Sequence, residues 1–361
     1  LAAGSHAELQ ARSLSSSAEA LLGAGVLSDG SLAGSGNLLI STADGLGAHG
    51  QNLTVGSLQL EGREVDLAGS HTQASAMHIN ATGGDIRTAG ASLISKGDLT
   101  LSARAGDSSR LDNRQGSLNA GHLDIQVAQL DNRLGQIVEN GSADTNLALT
   151  SAAGVLDNSG GLIASNSRQL ALSAHTLANT DGRIEHAGSN ALRLSADTLD
   201  NLRGHILGNG ALQLTAGTLS NTSGVVNGRQ LNVYAASLDN QAGQIVHAGT
   251  QQATLEVSGT LDNRSGVLAS AGDVQLTAGT LLNRAGGIEA VGPAGLALRV
   301  ADATDNSAAG RIVADGAVSL ASGSLDNRDG QVASGQSLTL GVARAIDNSR
   351  GILAAEQGLT L

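Results

Sequence analysis

Carboxylates outnumber every other titratable group in this chain, 32 Asp and Glu against 20 Lys and Arg, so acid–base chemistry is the first to test. Cutting a glycosidic bond needs a local pair of carboxylates, with Arg or Lys close by, in a place that differs from its surroundings. The acidic residues here mostly belong to a recurring phrase, as Asp112, Asp131 and Asp157 do in Leu-Asp-Asn. A group present in eight or more copies answers to the geometry of the repeat before it answers to catalysis. Histidine is the next candidate. His186 and His247 stand in matching phrases, Ile184-Glu185-His186-Ala187-Gly188 and Ile245-Val246-His247-Ala248-Gly249. Matching phrases place them at similar corners of separate repeats, read here as surface positions and not as one metal site. His-Glu-x-x-His, Gly-Lys-Ser/Thr, the Gly-Gly-x-Gly-x-Asp calcium repeat and Arg-Gly-Asp are all absent from the sequence. With no Cys, thiolate metal sites and disulfides are excluded. The expectation is a protein that is not an enzyme and has no cofactor and no metal.

The phrase itself carries the structure. Leu, Asp, Asn, two variable residues, Gly, one variable residue and an aliphatic recur from Leu111 onward. The asparagines are Asn113, Asn132, Asn158, Asn179, Asn201, Asn221, Asn240, Asn263, Asn283, Asn306, Asn327 and Asn348, about 21 residues apart. Between them lie aliphatic-x-aliphatic triplets such as Leu170-Ala171-Leu172 and Leu212-Gln213-Leu214. Alternation with period two is the mark of strand, and helical spacing is missing. Each period therefore reads as two or three short strands joined by tight turns. Rungs of this size stack into a parallel β-helix about 4.8 Å per step. Residues 111–361 form the regular part and residues 1–110 about five diverged rungs, the whole being one continuous solenoid.

Composition supports a narrow core. There is no Phe or Trp, one Tyr, one Met and one Pro, yet 40% of residues are hydrophobic and 50 are Gly. Without aromatic rings a wide interior cannot be filled, whereas a slender core of Leu, Ala, Val and Ile can. A net charge of −12 speaks against nucleic acid as a partner. No run approaches the roughly 20 apolar residues of a membrane span, and Leu1–Gly23 lacks the features of a signal peptide.

Alternation turns the Leu inward, the Asp outward and the Asn inward. Buried asparagines at rung spacing are expected to hydrogen-bond along the axis, because an unpaired buried amide is costly. The glycine three residues after each Asn is expected to supply a positive φ. The Asp column is expected to face solvent, offset by Arg114, Arg133, Arg264, Arg284 and Arg328. Three stretches break the period: Glu139–Asn146, His247–Thr254 and Ala290–Gly295. Extra residues in solenoids project as loops, so Glu139, Asn140, Asp144, His247, Gln251, Gln252 and Pro293 are the candidate partner contacts.

Twelve Leu-Asp-Asn-x-x-Gly-x-aliphatic copies, with Leu-x-Leu-x-Ala strands between them, resemble the filamentous haemagglutinin repeat. The clear match covers residues 111–361, and a degenerate version the rest. The resemblance implies a right-handed parallel β-helix in a very large exoprotein of a Gram-negative bacterium. Such a protein is exported by two-partner secretion through an outer-membrane transporter and is displayed at the surface or released. The family includes adhesins and the sticks of contact-dependent growth-inhibition toxins, which meet a host or neighbouring cell. The Asn-Pro-Asn motifs of the family's secretion domain are absent, since the only proline, Pro293, follows Gly292. The chain is then expected to be a monomeric stalk segment that continues past Leu361.

Overall fold

The computed structural model of the chain describes residues 2–27, 31, 34–104 and 106–361. Strands account for nearly all regular structure, and the one helix among the described residues is the short 3-10 turn Gly106–Ser108. The chain divides into two compact units. The first comprises residues 1–178 and 182–188, the second residues 179–181 and 189–361. Each is a parallel β-solenoid.

In the first unit each rung contributes three short strands, and each strand pairs in parallel with its equivalent one rung on. One side carries the aliphatic column Leu14, Leu46, Val65, Ile86, Leu111, Leu130, Leu156 and Leu177, each in register with the next. A second side aligns Leu93, Leu118, Ile137, Ile163 and Ile184. The third is a six-stranded sheet from Ala7–Ala11 to His122–Gln126. It puts Ile40, Leu60, Ile79, Leu101 and Ile125 in one column. The change of repeat style near residue 110 falls inside this unit, and strand pairing runs straight through it.

In the second unit two of the three strands merge, as in Ala191–Asp200 and Ser337–Asp347. The columns are cleaner. Leu194, Leu214, Val233, Leu255, Leu276, Leu298, Leu320 and Leu340 stand in register. So do Ile206, Val226, Ile245, Leu268, Ile288, Ile312, Val332 and Leu353. Register shifts recur at one place in successive rungs, between Ala235 and Leu238 and between Val257 and Thr260. An extra residue there bends the long strand and turns the rung.

The core is these columns. Almost every member is buried, and each contributes about 1.5–3 kcal/mol over exposure. The buried apolar side chains among the described residues are Leu, Ile, Val, Ala and one Met, so the interior closes without aromatic rings.

Candidate functional site

The asparagine column is the most ordered polar feature of both units. All of its members but the terminal Asn348 are fully buried. In the first unit Asn113 Nδ2 donates to Asn132 Oδ1, and Asn132 Nδ2 to Asn158 Oδ1, both at 2.7 Å. In the second unit the same 2.7 Å bond links Asn179, Asn201, Asn221, Asn240, Asn263, Asn283, Asn306 and Asn327 in turn. A last bond of 2.6 Å runs from Asn327 to Asn348. Within each unit these bonds all run one way, each amide donating to the asparagine of the next rung toward the C-terminus. Its remaining hydrogen goes to carbonyls of the turn, as Asn221 Nδ2 does with Gln244 O at 3.1 Å. The column starts at Thr88, whose hydroxyl donates to Asn113 Oδ1 at 2.8 Å. Leu67 lies one rung earlier at the same place in the strand register.

The glycine after each Asn does not have the positive φ expected of it. That φ belongs to the residue before it, at 52–58° in Gln115, Leu134, Arg203, Ser223, Ala242, Ser265 and Asp329 among others. The reason for glycine is contact. A Cβ on Gly243 would lie 2.1 Å from Asn221 O and 2.6 Å from Asn240 Oδ1. The rung closes on the previous rung's backbone and on its own asparagine, and only hydrogen fits between. Two rungs without the asparagine reverse the arrangement. There Gly69 and Gly90 take the positive φ, and Ser70 and Ala91 follow them.

Three of the nine aspartates of the column depart from the expectation of a solvent-facing row. Asp112, Asp131 and Asp262 are buried. All nine of the column accept the backbone N–H two residues on, at 2.9–3.2 Å. That bond folds each carboxylate over its own turn, as Asp does at tight turns generally. Arg114, Arg133, Arg264 and Arg328 then clasp the Asp two residues before them. Arg284 has Leu282 in that place and reaches instead to Asp305 of the next rung at 3.9 Å. The hydrogen bond from Arg114 holds the Asp112 carboxyl below its ordinary range. Burial pushes Asp131 up, but the bonds from Arg133 and the Arg110 and Arg133 charges outweigh it and leave it low. These carboxylates are occupied by the turns they close.

A second polar column follows the inward aliphatic by two residues. In the first unit it holds Glu139, Ser165 and His186, and in the second His247, Ser270, Ala290, Ala314 and Ser334. Three expectations are corrected here. Glu139 is 1% exposed and not a partner contact. Its carboxylate accepts from His122 Nδ1 (2.9 Å), Leu123 N (3.1 Å), Thr145 Oγ1 and Ser165 Oγ (both 2.6 Å). His186 and His247 are 2% exposed, not surface residues. His186 Nε2 bonds Ser167 O at 2.8 Å, and His247 Nδ1 bonds Ser270 Oγ at 2.8 Å. Burial, the larger effect, pushes the His247 pKa down against the pull of the Arg229 carbonyl. The physical reason is parity: Glu139, His186 and His247 stand two residues after Ile137, Ile184 and Ile245 and so point the same way. That signal was present in the alternation.

The other loop residues are exposed. Asn140 donates to Asn119 Oδ1 at 2.7 Å, and Asp144 pairs with Arg168 at 2.9 Å. Gln251 and Gln252 are exposed in the second unit. Pro293 is exposed beside Gly292, whose amide donates to Asp315. The corners that carry the 247–254 and 290–295 segments are two rungs apart on one edge. Among the described residues there is no group of three or more His, Cys, Asp or Glu placed to hold a metal ion. Nor is any helix among them long and apolar enough to cross a membrane.

Comparison with known proteins agrees with this architecture. The family model for the haemagglutinin repeat matches residues 2–103, 102–160, 207–265, 252–297 and 294–361. A Yersinia pestis protein named Toxin CdiA is 43% identical over 129 residues, covering 36% of this chain and 4% of that protein. An Escherichia coli protein of the same name is 30% identical over 292 residues, covering 71% of this chain and 9% of its own length. The chain thus spans less than a tenth of the curated relatives it matches. No solved structure matches it.

Proposed function

The chain belongs to the haemagglutinin-repeat family, and from that premise we propose that it is a stalk segment of a large exported protein of a Gram-negative surface. The observation that carries the reading is repetition. Rung after rung uses the same aliphatic columns and the same Asn–Asn bond, and the carboxylates that recur are spent on turns. Such a body supplies reach, not turnover. The names of the two relatives favour a toxin-delivery stalk over an adhesin shaft. Export through an outer-membrane transporter, display at the cell surface and a monomeric stalk belong to the same proposal. Its Asn column acts as the axial fastening.

The test is to remove residues 284–327, two whole rungs from one Asn to the next but one, from the full-length protein in its own bacterium. A stalk tolerates the loss: export, protease resistance and inhibition of neighbouring cells persist. A variant that is exported and folded but no longer engages target cells refutes the reading. It would favour the alternative that this segment itself binds a glycan or receptor. For that alternative, exposed Asn140, Asp144, Gln251, Gln252 and Pro293 are the residues to replace.

A further inference from the structure

Tyr234 is the only aromatic residue among 361, and the fold does not use it as core. It points outward from the strand Val225–Asp239 and is half-buried. Its register neighbours are Thr215 one rung before, Glu256 one rung after and Thr277 the next. The strand register shifts immediately beyond it, after Ala235 and Val257. Around it lies an open, shallow surface depression of about 470 Å³, with Ala236 and Ser258 also in its lining. The volume lies within the usual size of small-ligand sites, roughly 300–1,000 Å³.

We propose that this depression is a binding subsite for a chain of neutral hexopyranose units. A tyrosine ring offers an apolar face and a polar tip, which suits the C–H face and the hydroxyls of a sugar ring. Thr215, Thr277 and Ser258 supply hydroxyls that both donate and accept, and Glu256 supplies an acceptor. Glu256 is the one charged side chain of the lining. An unpaired carboxylate there disfavours acidic sugars by like-charge repulsion and leaves neutral ones unaffected. From Thr215 to Thr277 is three rungs, about 14 Å of surface at the usual strand spacing. That length takes more than one sugar ring. The subsite goes beyond the stalk reading and stands or falls separately, because residues 284–327 can be removed without touching it.

The chain has no Trp, so Tyr234 is its dominant intrinsic fluorophore and reports directly on its own surroundings. Titration with cellotetraose and chitotetraose is expected to change tyrosine emission saturably, and tetragalacturonate is expected not to. Isothermal titration gives a readout independent of the ring. By it, Tyr234→Ala weakens the neutral probes roughly tenfold and Tyr234→Phe retains most of the affinity. Glu256→Gln narrows the gap between neutral and acidic probes. Circular dichroism of each variant checks that the strands persist, as an outward position allows. No saturable response to either neutral probe up to roughly 10 mM overturns the proposal. So does unchanged binding in a folded Tyr234→Ala protein, or binding of tetragalacturonate alone.

Discussion

Replacing Asn221 with Leu isolates what one member of the asparagine column contributes. The wild-type amide accepts from Asn201 at 2.7 Å and donates to Asn240 Oδ1 at 2.7 Å and to Gln244 O at 3.1 Å. Leucine fits the position in outline, since Leu67 is fully buried at the equivalent place in the first unit. The cost is therefore polar. Asn240 Oδ1 loses its donor in a dry corner, while Asn201 Nδ2 keeps Gly204 O and Val225 O. An orphaned buried acceptor costs about 1–3 kcal/mol, and each lost bond about 1 kcal/mol more. The expected total is about 3 kcal/mol, a fall of roughly 6–12 °C in Tm for a unit of this size. The decisive measurement is the double variant Asn221→Leu, Asn240→Leu, followed by thermal unfolding. The second change removes the acceptor that the first left stranded, so the pair should cost about 1–2 kcal/mol less than the sum of the singles. Strict additivity, or a single variant with unchanged Tm, would show that the column is packing and not a hydrogen-bonded chain.

The neighbouring positions give opposite signs. Gly243→Ala should be strongly destabilising, by about 3 kcal/mol, because its Cβ meets backbone at 2.1 Å. Ala242→Gly should stabilise by about 0.5–1 kcal/mol by relieving a positive φ of 52°; equilibrium urea unfolding measures both. Glu139→Ala leaves Leu123 N and Thr145 Oγ1 without this acceptor and Ser165 Oγ with Ser167 alone, and should cost about 3 kcal/mol. Limited proteolysis between Asn140 and Asp144 should become faster in it, and an unchanged cleavage rate would refute the anchoring role. For His247 burial lowers the folded pKa below the ordinary 6.5. The unfolded chain then binds the proton more readily, so this contribution is full above pH 6.5 and declines as pH falls through the window below it. His247→Ser, a residue the column accepts at Ser270 and Ser334, should flatten that slope in thermal melts run from pH 7.5 to 5. An identical slope in the variant would place the acid sensitivity elsewhere.

The parts that sequence alone disclosed are those that depend on parity and period. Leu111, Asn113 and Leu118 face inward because residues two apart share a side, and the 21-residue recurrence brings each over its equivalent. The parts it misjudged depend on distances between rungs. Glycine at position 243 looked like a conformational need because glycine usually is one. Only the 2.1 Å approach of Asn221 O shows that it is a steric need. Asp112 looked solvated because it alternates with Leu111 and Asn113. Its bond to the Arg114 amide comes from the turn, which a period cannot describe. Glu139, His186 and His247 were within reach of the same parity argument, but their polarity, and for Glu139 and His247 a place in an enlarged rung, drew them to the surface. Parity sends them inward, where Glu139 finds four donors and each histidine a partner.

These details bear on how a repeated body tolerates change. Asparagine and glycine are coupled across neighbouring rungs: Gly243 is tight against the carbonyl of Asn221 and the amide of Asn240. In the rungs of Leu67 and Thr88, where no asparagine stands, Ser70 and Ala91 replace that glycine. The two positions must therefore change together, and a substitution in one rung is felt chiefly by the next. Energetics of that kind are nearest-neighbour. A damaged rung weakens its two contacts and leaves more distant ones intact. Each unit can therefore absorb an insertion such as the enlarged rung at His247–Thr254, provided the Asn–Asn bond resumes on the far side, as it does from Asn240 to Asn263 at 2.7 Å.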